Sequence, residues 1–97
     1  MTINKVNDGA AVKYEVEGRL DTTTAPELEQ ALSGEEGNEI VFDFSKLEYI
    51  SSAGLRVLLS EQKAVNARSG KMVIRNVNDT IMEVFEITGF IDILTIE

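Results

Sequence analysis

The chain has 97 residues, 43% of them hydrophobic and 27% charged, and its 17 acidic against 9 basic side chains give a net charge of −8. This is the make-up of one globular domain, 1–97, long enough to bury roughly two-thirds of the surface that the unfolded chain exposes. The absence of cysteine and histidine excludes disulfides, the common zinc sites and imidazole acid–base catalysis, and the excess of acid repels nucleic acid.

No apolar run approaches the ~20 residues needed to span a bilayer, and the first residues lack the apolar stretch of a secretory signal. A cytoplasmic protein with no membrane contact is expected. Ile3 to Val6 and Ala11 to Glu17 alternate apolar and polar residues, the period of half-buried strands. Asn7-Asp8-Gly9 between them is turn chemistry, so the chain is expected to open with a hairpin, and Gly18-Arg19-Leu20-Asp21 to leave the sheet. Thr24-Ala25-Pro26-Glu27 marks a helix start, with Thr24 as cap, Pro26 in the first turn and Glu27 completing a capping box. Its buried stripe is Leu28, Ala31 and Leu32, and Gly34 to Gly37 stop it.

Glu39 to Phe44 is nearly continuous in apolar residues and reads as a central strand. After a loop, Ala53 to Arg68 has helical spacing, with Leu55, Leu58, Leu59 and Val65 inward and Glu61, Lys63 and Arg68 toward solvent. Lys71 to Ile74 reads as a strand. Asn78 or Asp79 caps a third helix that buries Ile81, Val84 and Phe85 and stops at Gly89. Ile91 to Ile96 is expected to form a last strand. Met72, Met82 and Phe85 are assigned to the core. The alternation of strands and helices predicts an α/β fold with a mostly parallel sheet, made mixed by the opening hairpin.

The informative stretch is Asp43 to Arg56, which leads from the central strand into the second helix. Helix N-termini expose unpaired N–H groups and partial positive charge, so an anion is stabilised there. A hydroxyl at that point can take a phosphoryl group, which adds about −1.5 to −2 charges beside ready donors. Serine is also a preferred N-cap, and capping alone accounts for Ser51 and Ser52 as far as local pattern goes.

Ser51-Ser52-Ala53-Gly54-Leu55-Arg56 resembles the hallmark of the STAS domain of bacterial anti-sigma-factor antagonists: aspartate, serine, serine or threonine, glycine, leucine, glycine. Gly18-Arg19-Leu20-Asp21, Asn76-Val77 and Phe85 to Phe90 resemble further family segments, in the right order along essentially the whole chain. The resemblance implies a STAS fold, with helices packed on the sheet and Ser52 as phosphoacceptor, Ser51 being the less favoured choice. It implies partner contacts at Asp21, Thr22, Ser51, Gly54, Leu55 and Arg56, and no cofactor or metal. The implied partners are an anti-sigma factor that is also a serine kinase of the GHKL type, and a PP2C-type serine phosphatase; the free protein is expected to be a monomer. Ser51 departs from the family's aspartate, Ala53 from its hydroxyl residue and Arg56 from its glycine.

Ser52 and Arg56 are four residues apart and so neighbours on a helix surface, which suggests a charge-assisted contact from Arg56 to phosphate on Ser52; an ordinary solvated arginine is the other reading. Asp21 either shapes its turn or helps to bind the kinase-like partner. Gly54 answers either to a partner's close approach or to tight packing. Besides control of a sigma factor, two outputs fit the same fold: a partner switch acting on another system, and an accessory domain of a transporter. An enzyme is disfavoured by the missing catalytic side chains.

Overall fold

The computed structural model describes residues 1–97. Strand β1 (Thr2–Asp8) pairs antiparallel with β2 (Ala11–Leu20). The turn is Gly9-Ala10, one step beyond the expected Asn7-Asp8-Gly9. Asn7 and Asp8 stay in the ladder opposite Val12 and Ala11, and the positive φ (+66°) falls on Gly9, which tolerates it without strain. β2 also runs on through Gly18 to Leu20, where the sequence suggested that the chain leaves the sheet.

Helix α1 (Ala25–Leu32) leads to β3 (Glu39–Ile50), helix α2 (Ser52–Ala67) to β4 (Lys71–Arg75), and helix α3 (Asp79–Thr88) to a short 3₁₀ turn, Phe90–Asp92. The strand order is β1-β2-β3-β4, with β3 parallel to both β2 and β4. This is the mixed, mostly parallel α/β sheet that the alternation of elements predicts.

One face of the sheet carries the core. Tyr14, Val16 and Leu20 from β2, Ile40, Phe42 and Phe44 from β3, and Met72 and Ile74 from β4 join Leu28, Leu58, Val65, Ile81 and Phe85 of the helices in a single cluster. Fully burying an apolar side chain of this size contributes about 1.5–3 kcal/mol. The Tyr14 and Phe42 rings stack at 5.7 Å between centroids, and Phe42 meets Phe44 at 6.0 Å.

β3 is twice as long as expected. Its second half, Ser45–Ile50, lies beyond the nearly continuous apolar run, where a loop is expected and the buried apolar residues are spaced three apart. The cause is two register shifts against β2, between Glu15 and Glu17 and between Gly18 and Arg19. Each gives β3 one extra residue, as in a β-bulge. The inward positions therefore step from Phe42 and Phe44 to Leu47 and Ile50, and all four are buried.

The expected last strand is reduced to a single bridge between Ile96 and Ile74. Amides that a strand would have used are taken by the turn after Gly89: those of Ile93 and Leu94 both donate to the Phe90 carbonyl, at 3.0 and 2.8 Å. Helix details also differ: Arg68, expected toward solvent, is half-buried with its Nε donating to the Gly37 carbonyl (2.8 Å). Thr24 forms no capping box, because its hydroxyl donates to the Arg19 carbonyl (2.7 Å) and accepts from the Asp21 amide (2.8 Å). Ala31 is exposed, and Glu61 is buried rather than solvated. Asn78 caps α3 as expected, accepting from the Ile81 amide at 2.9 Å.

Candidate functional site

β3 delivers the chain to the start of α2 in an extended conformation. Ser51 (φ −102°, ψ 176°) is the N-cap. Its amide donates to the Leu20 carbonyl (2.9 Å), its carbonyl accepts from Leu55 (3.0 Å), and its hydroxyl accepts from the Gly54 amide (3.4 Å). Those bonds fasten the helix start to the end of β2. Ser51 is half-buried and occupied with capping, whereas Ser52, the first helical residue, is exposed.

α2 has no acidic side chain in its first turn. The partial positive charge of that helix end is therefore not offset from within the helix, and an added anion is favoured there. Arg56 lies in the second turn, exposed, on the same side as Ser52 by its spacing of four. It shares a groove between α1 and α2 with Thr22, Pro26 and Ala53. The loop after β2 and the first turns of α2 thus form one surface.

Gly54 and Leu55 are not part of that surface. Leu55 is 3% exposed, and a Cβ on Gly54 would lie 2.7 Å from Leu20 Cγ and 2.9 Å from Ile50 Cγ1. The expectation that these two touch a partner is replaced by a packing role. Gly54 lets the helix start settle on Leu20 and Ile50, which is the second of the two readings given to it above.

Asp21 is spent largely on its own loop. One carboxylate oxygen accepts from the Thr23 hydroxyl (2.8 Å) and from the amides of Thr23 (3.0 Å) and Thr24 (3.2 Å). The bond from the Thr23 hydroxyl, then those from the amides, holds the carboxyl below its ordinary range. The other oxygen lies 3.7 Å from Arg19 Nε. Arg19 in turn stacks on Tyr49, its partner across the β2–β3 ladder, at 4.4 Å from the ring centroid. No local sequence signal marks this pair, because Tyr49 falls where a loop is expected and only the extended β3 puts it opposite Arg19.

A second polar group lies at the other end of the sheet and was not anticipated. Glu35, just before β3, accepts from the Tyr14 hydroxyl and from the Gly37 amide (2.8 Å), and meets Lys5 Nζ at 3.1 Å. Burial alone would raise its carboxyl, but the Tyr14, Gly37 and Lys5 donors together hold it down to about 2. Tyr14 is pushed well above its ordinary value, first by burial and then by that carboxylate. Close by, Arg68 donates from Nε to the Gly37 carbonyl (2.8 Å) and approaches Glu61 at 3.5 Å. Burial raises Glu61, and Arg68 only partly counters it.

The junction of β3 and α2, with Ser51 alone between them, thus presents the Ser52 hydroxyl to solvent. A family model describing the STAS domain matches residues 2–97. The chain is 31% identical over 96 residues to the anti-sigma-B factor antagonist of Listeria monocytogenes, covering 96% of this chain and 84% of that one. It is 36% identical over 86 residues to the anti-sigma-B factor antagonist of Staphylococcus aureus, covering 84% and 80%. The Bacillus cell fate determinant SpoIIAA in its phosphorylated form superposes with a TM-score of 0.78 over 99% of this chain and 91% of that one, at 18% identity. The chain belongs to the STAS domain family, among its anti-sigma factor antagonists. It is a regulatory protein and not an enzyme. No helix is long and apolar enough to cross a membrane.

Proposed function

We propose that this protein is a phosphorylation-controlled partner switch, acting in the cytoplasm, with Ser52 as the acceptor. The unphosphorylated form binds an anti-sigma factor that is also a GHKL-type serine kinase, and a sigma factor is thereby freed. Phosphate on Ser52 breaks that complex, and a PP2C-type phosphatase restores it. The observation that carries this reading is the exposed Ser52 hydroxyl at the start of α2, where no acid offsets the helix dipole.

The chemistry follows from that position. The acceptor projects into solvent, so a kinase reaches it without opening the core. A new dianion meets the amide end of the helix and Arg56, so the domain keeps its fold. A partner that had packed against the Thr22–Arg56 groove then faces added bulk and about −1.5 to −2 charges. The partner-facing set is Asp21, Thr22, Ser51, Ser52 and Arg56. Ser51 is the poorer acceptor, because modifying it would remove the cap.

The test is incubation with the kinase partner and ATP, followed by mapping of the phosphate by mass spectrometry. One phosphate on Ser52, absent in Ser52→Ala, is expected, together with loss of partner binding. Equal labelling of Ser52→Ala would remove the assignment.

A further inference from the structure

Five large hydrophobic side chains are exposed, and three of them, Ile87, Ile91 and Ile93, fall within seven residues. Ile87 is 78% exposed on α3, Ile91 37% and Ile93 49% on the turn that follows. Single exposed apolar residues are ordinary, but a group at one place marks an interaction surface. α3 starts beside β3, where Asn78 Nδ2 donates to the Leu47 carbonyl (2.9 Å), and the chain later returns alongside β4 at Ile74. The three isoleucines therefore lie toward the end of the sheet away from Ser52.

Charge tells what covers them. Residues 76–97 hold five carboxylates (Asp79, Glu83, Glu86, Asp92 and Glu97) and no lysine or arginine. Glu97 is matched by Arg75 at 3.0 Å. Glu83, Glu86 and Asp92, the acids nearest the isoleucines, are exposed and form no ion pair. Glu86 also sits in the last turn of α3, where the dipole is negative and no basic side chain offsets it. An outside cation is thus favoured by the carboxylate and by the helix end together.

We propose that this surface docks a basic amphipathic segment of a second protein, its apolar side chains on Ile87, Ile91 and Ile93 and its lysines or arginines against Glu83, Glu86 and Asp92. A second copy of this chain would bring acid against acid. Anionic lipid and nucleic acid have the wrong sign. The surface is separate from the Ser52 site, so one domain can hold two proteins at once and bring the switch to its target.

The test uses the whole chain, labelled at isoleucine methyls, titrated with a helical leucine–lysine peptide and with its leucine–glutamate counterpart. The Ile87, Ile91 and Ile93 methyls are expected to shift with the lysine peptide alone. Ile87→Ser and Glu86→Lys should each weaken binding roughly tenfold or more, as for anchor residues of an interface. Ser52→Asp should leave it unchanged, which keeps this result distinct from the fate of the acceptor assignment. Shifts spread over other acidic faces and insensitive to Ile87→Ser would reduce the effect to bulk charge and overturn the proposal. So would equal binding of the glutamate peptide, shifts of these methyls on concentrating the chain alone, or equal shifts with phosphatidylglycerol vesicles.

Discussion

The two ends of the β-sheet use polar groups in opposite ways. Where β3 runs into α2, the polar side chains bond to their own loops: Ser51 to Gly54, Asp21 to Thr23 and Thr24. Ser52 and Arg56 are left exposed. Where β3 begins, Glu35 ties together Tyr14, Lys5 and Gly37, and Arg68 ties α2 to Gly37, across sequence separations of up to 31 residues. Charge at the second end is therefore part of the fold. Charge at Ser52 and Arg56 can change without altering it, because no distant segment relies on these two side chains. A switch belongs where polar bonds are local, and a buried carboxylate serves where they are not.

The sharpest way to break that contrast is to neutralise Glu35. Glu35→Gln removes a carboxylate from three donors, and a loss of about 2–3 kcal/mol is expected. The pH dependence has a definite sign. The folded value of about 2 lies below the ordinary 4.5, so the stabilisation is complete above 4.5 and lost as pH falls from there toward 2. Denaturant unfolding between pH 7 and pH 2.5 should show wild type converging on Glu35→Gln at the acid end. A gap independent of pH would mean that packing, not charge, holds this loop. Labelling of Ser52 should be the same in both proteins.

At the other end the expected effect is smaller and lies beneath the surface. Alanine in place of a helical glycine ordinarily gains about 1 kcal/mol. At Gly54 the new methyl would meet Leu20 Cγ at 2.7 Å and Ile50 Cγ1 at 2.9 Å. Overpacking of this kind costs about 1–3 kcal/mol, so after that gain is offset Gly54→Ala is expected to lower stability by up to about 2 kcal/mol. A rise in melting temperature would show that α2 can shift away from the sheet, and that the glycine serves the exposed surface after all.

These residues also show how much was legible beforehand. The Ser51–Arg56 junction was readable because capping chemistry and helical spacing are local. The family likeness gave Ser52, but the sequence could not say that Ser51 holds the cap and leaves Ser52 free. The second half of β3 is not legible because the nearly continuous apolar run ends at Phe44, and two bulges shift the inward step from Phe44 to Leu47 and then Ile50. The Glu35 cluster carries no local sign at all. Tyr14 and Glu35 are 21 residues apart and meet only when the hairpin and the α1–β3 loop close on one another. The charge of Glu61 points to solvent, whereas its position, with Leu58 and Val65 one turn to either side and both buried, points inward.

Glu61 gives the smallest and most discriminating effect. It is 7% exposed, and burial raises its carboxyl despite Arg68 at 3.5 Å. A raised folded value reverses the sign found for Glu35. The contribution is favourable below the ordinary 4.5 and is lost as pH rises through the folded value, so the ionised form strains the neutral-pH protein. Glu61→Gln keeps the shape and an acceptor for Arg68 while removing the buried charge. It should therefore stabilise by up to about 1 kcal/mol at pH 7 and make little difference at pH 4. Paired unfolding curves at the two pH values decide the matter. A variant less stable at pH 7 would mean that the Arg68 pair outweighs desolvation, and that both buried carboxylates at this end hold the fold by their charge.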